Sequence, residues 1–91
     1  MSRDIVWTSQ FKKDYKLAAK RGGDVSLLDD VIRVLAAGKE LDPKFRDHNL
    51  TGNWSGHREC HIKPDWLLIY RIEGNDLILV LARTGSHSDL F

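Results

Sequence analysis

Four side chains in the C-terminal half of this sequence could exchange protons with a substrate near neutral pH: His48, His61, Asp65 and His87. Histidine suits this work because its ordinary pKa of about 6.5 lets one ring stay neutral while another is protonated. Cleavage of RNA by its own 2′-hydroxyl needs a base, an acid for the departing 5′-oxygen, and a cation on the phosphate. Arg83 can supply that cation, so these residue types fit RNA cleavage without a metal ion.

The histidines have two other interpretations. Along one strand His57 and His61 would lie about 13 Å apart, since each residue adds ~3.3 Å, and this is too far to share one metal ion. Ligand sets drawn from the four side chains above remain possible, but their spacing matches no zinc motif, and we expect neither a metal ion nor another cofactor. Each histidine could also be an ordinary surface or hydrogen-bonded residue.

The first part of the chain predicts one strand followed by two helices. The run "DIVWT" is β-branched and aromatic, as strands are, and Thr8 or Ser9 can cap the helix that follows. That helix carries an apolar stripe of Phe11, Tyr15, Ala18 and Ala19. Asp24 or Ser26 opens the second helix, in which one face holds Leu28, Val31, Ile32 and Leu35. We expect the two helices to be antiparallel.

A polar connection of residues 39–56 precedes three strand candidates, "HRECHI", "WLLIYRI" and "LILVLAR". Tight turns are indicated between them by "KPD" and "EGND", and Pro64 and Asp65 suit successive turn positions. The predicted class is α+β with the order βααβββ, in which two antiparallel helices pack on one face of a mainly antiparallel four-stranded sheet. Long loops in compact domains are often functional, which makes the connection a candidate part of the site.

Alternation along "HRECHI" sorts its side chains between the two faces of the sheet. The two sets are His57, Glu59 and His61 on one face, and Arg58, Cys60 and Ile62 on the other. We expect the face with the histidines to point away from the helices.

The turn after this strand would hold His61 and Asp65 at the edge of the sheet, with Lys63 near phosphate. Trp66 follows the turn, where it could stack on an RNA base or seal the core below the site. Its position at the start of a strand favours the core.

Composition limits the class of protein. With 42% hydrophobic and 30% charged residues among 91, the chain is expected to form one globular domain, residues 1–91. No apolar run approaches the ~18 residues of a membrane-spanning helix, and the start lacks the apolar core of a signal peptide, so we expect a cytoplasmic protein without a membrane partner. The single cysteine, Cys60, excludes an internal disulfide and is expected in the core.

Charge is unevenly distributed, although the net charge is only +1. Residues 1–21 hold six basic and two acidic side chains, whereas residues 24–42 hold two basic and five acidic ones. The first helix could therefore present a basic face to phosphate, or merely a solvated surface.

Three segments, "DHNLTG", "HIKPDWLLIY" and "RTGSHSDLF", have the order and spacing of the RelE superfamily of bacterial toxins, and specifically of its YafQ branch. The chain resembles that branch over nearly its whole length, the helical part mainly in pattern. The resemblance implies the same fold and the activity of a ribosome-dependent endoribonuclease. Such an enzyme is the toxin of a type II toxin-antitoxin pair and cuts mRNA in the ribosomal A site.

The resemblance also implies roles for particular residues. Catalytic roles fall to His48, His61, Asp65 and His87. Contacts with phosphate or substrate fall to Arg83, Phe91, Lys63, Glu59 and Trp66. Glu59 stands where an aspartate is expected, which keeps the charge but lengthens the side chain.

Partners follow from the same resemblance. We expect a cognate antitoxin, the ribosome with its mRNA, and operator DNA only through the complex with the antitoxin. The alternative is a non-nuclease toxin of the RelE/ParE fold, or an antitoxin-bound co-repressor, that acts by binding a protein such as DNA gyrase. Acid-base groups that converge with an arginine would favour the nuclease.

Overall fold

The computed structural model describes residues 2–91, which form a five-stranded sheet with two long helices on one face. In chain order the elements are β1 (Asp4–Trp7), α1 (Ser9–Lys20), α2 (Val25–Ala36), β2 (His48–Asn49), β3 (Arg58–Lys63), β4 (Trp66–Glu73), β5 (Ile78–Gly85) and α3 (His87–Leu90). Two 3₁₀ turns, Pro43–Phe45 and Gly52–Trp54, lie in the connection between α2 and β3.

The strands are ordered β1-β5-β4-β3-β2 across the sheet. β1 runs parallel to β5, and the other neighbours are antiparallel. The α+β class and the mainly antiparallel sheet are therefore confirmed. The predicted count of four strands was one too low, because the polar connection contributes the two-residue strand β2, which is too short to show alternation.

Both helices begin where capping side chains predict. Thr8 accepts a hydrogen bond from the backbone N–H of Phe11 at 3.1 Å, and Asp24 accepts one from that of Ser26 at 3.1 Å. The predicted stripe of α2 is buried at all four positions, whereas Ala19 in the stripe of α1 is exposed. Burial of these faces against the sheet supplies most of the stability that short helices lack on their own.

The sheet has a cluster of buried side chains on each face. The main core lies between the helices and the sheet and includes Cys60 and Ile62 of β3. A smaller cluster on the opposite face joins Leu67 and Ile69 of β4 to Leu90 of α3. Glu59 and His61 pair across β3 and β4 with these two β4 residues, so the alternation predicted for β3 is confirmed. In residues 2–91 no helix has the length and apolar character needed to cross a membrane.

The connection that carries β2 is fastened to the sheet at Asp47. Its carboxylate accepts hydrogen bonds from the Tyr70 hydroxyl at 2.7 Å and from Arg58 Nε at 3.2 Å. Burial, together with the neighbouring Asp47 carboxylate, raises the pKa of Tyr70, which keeps its hydroxyl a proton donor. Because Asp47 directly precedes His48, this contact fixes where β2 meets the sheet.

Candidate active site

β2 and β3 bring the first two histidines to one buried carboxylate. His48 of β2 is paired with Glu59 of β3, and His61 lies two residues further along β3 on the same face. His48 Nε2 lies 3.9 Å from one Glu59 oxygen, and His61 Nε2 lies 3.8 Å from the other. The side chain of Glu59 is only 6% exposed. A carboxylate buried in this way stabilises positive charge on either ring.

The end of β5 brings the third histidine to the same face. His61 is paired with Leu67 of β4, which is paired with Gly85 of β5, and His87 begins α3 two residues later. The His61 and His87 rings are 5.9 Å apart between centroids, and the His48 and His61 rings are 6.2 Å apart. Three imidazoles from three elements therefore form one row, with His61 in the middle.

Hydrogen bonds at Nδ1 fix the orientation of the two outer rings. His48 Nδ1 lies 2.7 Å from the carbonyl oxygen of Arg46, and His87 Nδ1 lies 2.7 Å from Asp65 Oδ1. A carbonyl or carboxylate oxygen only accepts, so each Nδ1 carries the proton and donates it. Nε2 of each ring remains available to a substrate.

His61 differs from the two outer rings because its side chain is only 16% exposed. Its Nδ1 is buried and has no hydrogen-bond partner within residues 2–91. An unpaired polar atom in such a place is unfavourable unless a ligand or water satisfies it, and this is typical of a functional site.

Asp65 precedes β4 in the tight turn after β3 and contacts His87 twice. Its Oδ1 accepts the Nδ1–H of His87 and also the backbone N–H of that residue, at 3.0 Å. These two donors, the backbone N–H first, lower the pKa of Asp65 from its ordinary value. The carboxylate therefore stays ionised beside His87 at neutral pH.

α3 is a single turn that is held by a cap at its start and by packing on β4 at its end. Ser86 and Asp89 form a reciprocal capping box at its start, and Leu90 is buried in the smaller cluster. Phe91 follows directly and is 62% exposed. An exposed aromatic ring can stack on a base, and the substrate contact that the resemblance implies for Phe91 remains a prediction.

Arg83 is placed differently from the free phosphate-binding cation that the sequence suggested. Its guanidinium donates to Asp14 of α1 through Nε at 2.7 Å and through a second nitrogen at 3.3 Å. Asp14 also accepts the backbone N–H of Thr84 at 3.2 Å and is buried. Arg83 thus joins α1 to the end of β5, and its contact with phosphate remains a prediction.

Trp66 is partly buried and packs against the main core. Its Nε1–H donates to the Thr84 hydroxyl at 3.0 Å, and that hydroxyl donates to the carbonyl oxygen of Leu67 at 2.7 Å. These contacts agree with the preference for a core role. They also tie the start of β4 to the end of β5, where Asp65 and His87 stand.

Lys63 lies in a groove beside His61 that the sequence did not reveal. The cavity, of about 570 Å³, lies between α2, the first 3₁₀ turn and the end of β3. Its basic side chains are Lys44, Arg46 and Lys63. Lys44 and Arg46 fall in the polar connection, and no local pattern indicates that they meet a residue of β3.

Three of the clustered residues could also hold a metal ion. Glu59, His61 and His87 each offer one ligand atom, and these atoms lie within 4.8 Å of one another. Two imidazoles and a carboxylate are ligands that Zn²⁺ accepts, and imidazole also suits copper. The sequence did not reveal this set, because His87 reaches the others only through the pairing of β5 with β4. His57 is outside it and packs against Trp54.

The fold and this row of histidines define a small toxin of the RelE-like class. The chain belongs to the family described as the bacterial toxin of type II toxin-antitoxin system, YafQ, whose model matches residues 3–91. The mRNA interferase toxin YafQ of Escherichia coli (strain K12) is 40% identical over 92 aligned residues, covering 100% of this chain and 98% of that protein.

Solved structures of similar chains agree with this membership. The toxin in the E. coli DinJ-YafQ toxin-antitoxin complex superposes with a TM-score of 0.90 at 40% identity, covering 100% of this chain and 99% of that one. A metal-bound toxin from Helicobacter pylori superposes with a TM-score of 0.90 at 45% identity, covering 100% of both chains.

Proposed function

We propose that the protein is an mRNA interferase, a ribosome-dependent endoribonuclease toxin that cuts mRNA in the ribosomal A site by acid-base catalysis without a metal ion. The observation that carries this proposal is the row of three imidazoles around Glu59, whose two outer rings have Nδ1 occupied and Nε2 available. Such a row can remove one proton and deliver another across a phosphodiester.

The hydrogen bonds suggest which chemical role each of the three histidines has. Neutral His48 has its lone pair on Nε2, which suits removal of the proton from the 2′-hydroxyl. His87 donates Nδ1–H to the ionised Asp65, which stabilises the imidazolium and suits proton delivery from Nε2 to the departing 5′-oxygen. His61, between them and beside Glu59, can direct positive charge at the phosphate.

The products test this division of roles. Attack by the substrate's own 2′-oxygen leaves a 2′,3′-cyclic phosphate or 3′-phosphate and a 5′-hydroxyl. The experiment is to map mRNA cuts on translating ribosomes with the purified toxin and to determine both ends chemically. Fragments with a 5′-phosphate would show that water is the nucleophile and would exclude this mechanism.

A cognate antitoxin is part of the proposal, because the similar E. coli toxin is described in complex with DinJ. We expect a small protein with a segment that folds as it wraps the toxin, and binding to operator DNA only through that complex. Because translating ribosomes and their mRNA are in the cytoplasm, we expect the protein to act there. If the protein accumulates without harm in cells that lack any such partner, the toxin assignment fails.

The second candidate function is a toxin that binds DNA gyrase or another protein. Such a toxin has no use for three converging imidazoles, so the row in residues 48–87 favours the nuclease. After induction in cells, the nuclease should stop translation before DNA supercoiling changes. Early loss of supercoiling with intact mRNA would instead support the gyrase-binding toxin.

The metal-bound H. pylori toxin calls for a separate proposal about metal ions. Glu59, His61 and His87 fit a divalent ion by their chemistry and proximity, and His61 Nδ1 is an unsatisfied buried atom in the same group. Bound there, an ion would occupy ring nitrogens of His61 and His87 that must carry protons in the proposed mechanism. We therefore propose that divalent metal ions inhibit cleavage.

A further inference from the structure

Arg46 stands apart from the other arginines because its side chain has no partner in the described residues. The others donate to backbone carbonyls or carboxylates, and they are Arg3, Arg21, Arg33, Arg58, Arg71 and Arg83. Arg46 is exposed, and within residues 2–91 its guanidinium takes part in no hydrogen bond or ion pair. It is therefore free to bind an anion.

The backbone at Arg46 is left-handed, with φ 52° and ψ 42°. Side chains with a Cβ are destabilised in this conformation, and asparagine, aspartate and glycine tolerate it best. The remaining non-glycine residues with positive φ within 2–91 are Asn75 and Asp76, which belong to the tolerant types. The hydrogen bond between His48 and the Arg46 carbonyl depends on this backbone conformation but not on the arginine side chain.

Two lysines share the groove with Arg46. Lys63 ends β3 two residues after His61, and Lys44 lies in the 3₁₀ turn, its Nζ 5.2 Å from the centre of the Phe45 ring. Neither lysine forms an ion pair in the part of the chain described. Asp30 also lines the groove, but its carboxylate is paired with Arg33. The groove therefore has an excess of positive charge beside the row of histidines.

We propose that this groove binds the sugar-phosphate backbone of the RNA strand next to the cleaved bond, with Arg46 and Lys63 on phosphates and Lys44 supporting them. The proposal rests on the proposed ribonuclease function and names the subsite that holds its substrate. Single-stranded RNA fits because its phosphates can pass from the groove to His61 without leaving the surface, and a basic groove is how such strands are held.

Substitutions at Arg46 separate the effect of its positive charge from the effect of its backbone conformation. Arg46→Asn removes the cation and keeps a residue that tolerates the left-handed backbone, whereas Arg46→Lys keeps the cation. Lys63→Gln and Lys44→Gln remove the other two charges. Lys39→Gln is the matched control, because Lys39 is also exposed but does not line this groove; it lines the neighbouring cavity, which Arg46 also borders.

The experiment measures kcat and KM for cleavage of a short mRNA on ribosomes over a range of salt concentrations. Arg46→Asn and Lys63→Gln should each raise KM roughly three- to tenfold with kcat nearly unchanged, because they remove exposed charge-assisted contacts. Each should also reduce the slope of log(kcat/KM) against log[salt] by about 0.7. Arg46→Lys should restore most of both values, and the melting temperature of Arg46→Asn should not fall.

Several outcomes would overturn the subsite. The groove does not bind the RNA backbone if Arg46→Asn and Lys63→Gln behave as wild type, or if Lys39→Gln has an equal effect through net charge alone. A fall in kcat with unchanged KM would likewise count against it.

Failure of the proposed function gives a different result. If the wild type does not cut, binding of each variant to the same mRNA-loaded ribosomes is compared over the same salt range. If the dependence of binding affinity on salt concentration becomes weaker when Arg46 or Lys63 is replaced, the result would support the subsite although the ribonuclease assignment fails. The absence of that change would reject both.

Discussion

Asp65 and His87 are joined by two hydrogen bonds that end on one oxygen atom. Asp65 Oδ1 accepts the backbone N–H of His87 at 3.0 Å and its Nδ1–H at 2.7 Å. The turn before β4 and the first residue of α3 are thereby held together, although 22 positions separate them in sequence. The backbone contact fixes the helix end, and the side-chain contact fixes the ring.

The pKa of the Asp65 carboxyl gives a first prediction. It should titrate below its ordinary value of about 3.9, because both hydrogen bonds favour the ionised form. His87→Ala should recover only part of the shift, since the backbone N–H is the larger cause and remains. The measurement is the carboxyl titration by NMR, and an unshifted wild-type value would contradict the contact.

The same shift determines the sign of the pH effect on stability. Because the folded pKa is the lower one, the stabilisation by Asp65 is present above the unfolded pKa of about 3.9. It is lost as the pH falls through the folded pKa. Denaturation of the wild type and of Asp65→Asn should therefore differ more at pH 6 than below about pH 3.

The rate of cleavage should depend on His87 far more than stability does. His87→Ala should lower the rate roughly 10²- to 10⁴-fold, as expected for a positioned acid or base. Its exposed side chain leaves no large cavity, so the free energy of unfolding should change by less than about 0.5 kcal/mol. The measurements are single-turnover cleavage on ribosomes and urea denaturation.

His57→Ala is the matched control for this substitution. His57 packs against Trp54 outside the row of three rings, so its loss should leave the rate nearly unchanged. Equal rate losses for His57→Ala and His87→Ala, or losses that only follow unfolding, would make the catalytic assignment wrong.

Trp66 should act through folding. Trp66→Ala removes packing on the main core and the hydrogen bond to Thr84, and should lower the free energy of unfolding by about 3 kcal/mol. Activity should fall with the folded fraction, as measured by urea denaturation beside cleavage assays. Trp66→Phe should recover much of the stability; a folded Trp66→Ala that binds RNA poorly would instead indicate base stacking.

Tyr70 should influence cleavage only through His48. Tyr70→Phe removes the hydroxyl that holds Asp47 and should slow cleavage about fivefold, which corresponds to one hydrogen bond of about 1 kcal/mol. In a His48→Ala background the same change should have almost no effect on rate, which a double-mutant cycle would show. Tyr15→Phe, which removes a similar hydrogen bond to Asp29 between the helices, is the control.

Removal of metal ions should leave cleavage intact, whereas added metal ions should inhibit it. Chelation with EDTA, at concentrations that leave ribosomes assembled, should not abolish cutting, because the proposed groups transfer protons themselves. Added Zn²⁺ should inhibit, because Glu59, His61 and His87 can bind it. Loss of activity on chelation, with recovery by one particular ion, would show that the cluster is a catalytic metal site.

Local patterns in the sequence determined most of the elements. The caps at Thr8 and Asp24, the buried stripe of α2 and the alternation in β3 depend on neighbours within a few residues, and each is found in the structure. The strand β2 escaped prediction because two residues carry no periodicity.

Tertiary structure decided which charged groups form ion pairs and which do not. Asp14 and Arg83 lie 69 positions apart, and only the packing of α1 on β5 pairs them. This ion pair involves the arginine that the sequence suggested as a phosphate ligand. The same packing leaves Arg46 without a partner among residues 2–91, beside His61 in the groove. A sequence supplies the charges, but their pairing depends on distances between side chains that only the folded chain sets.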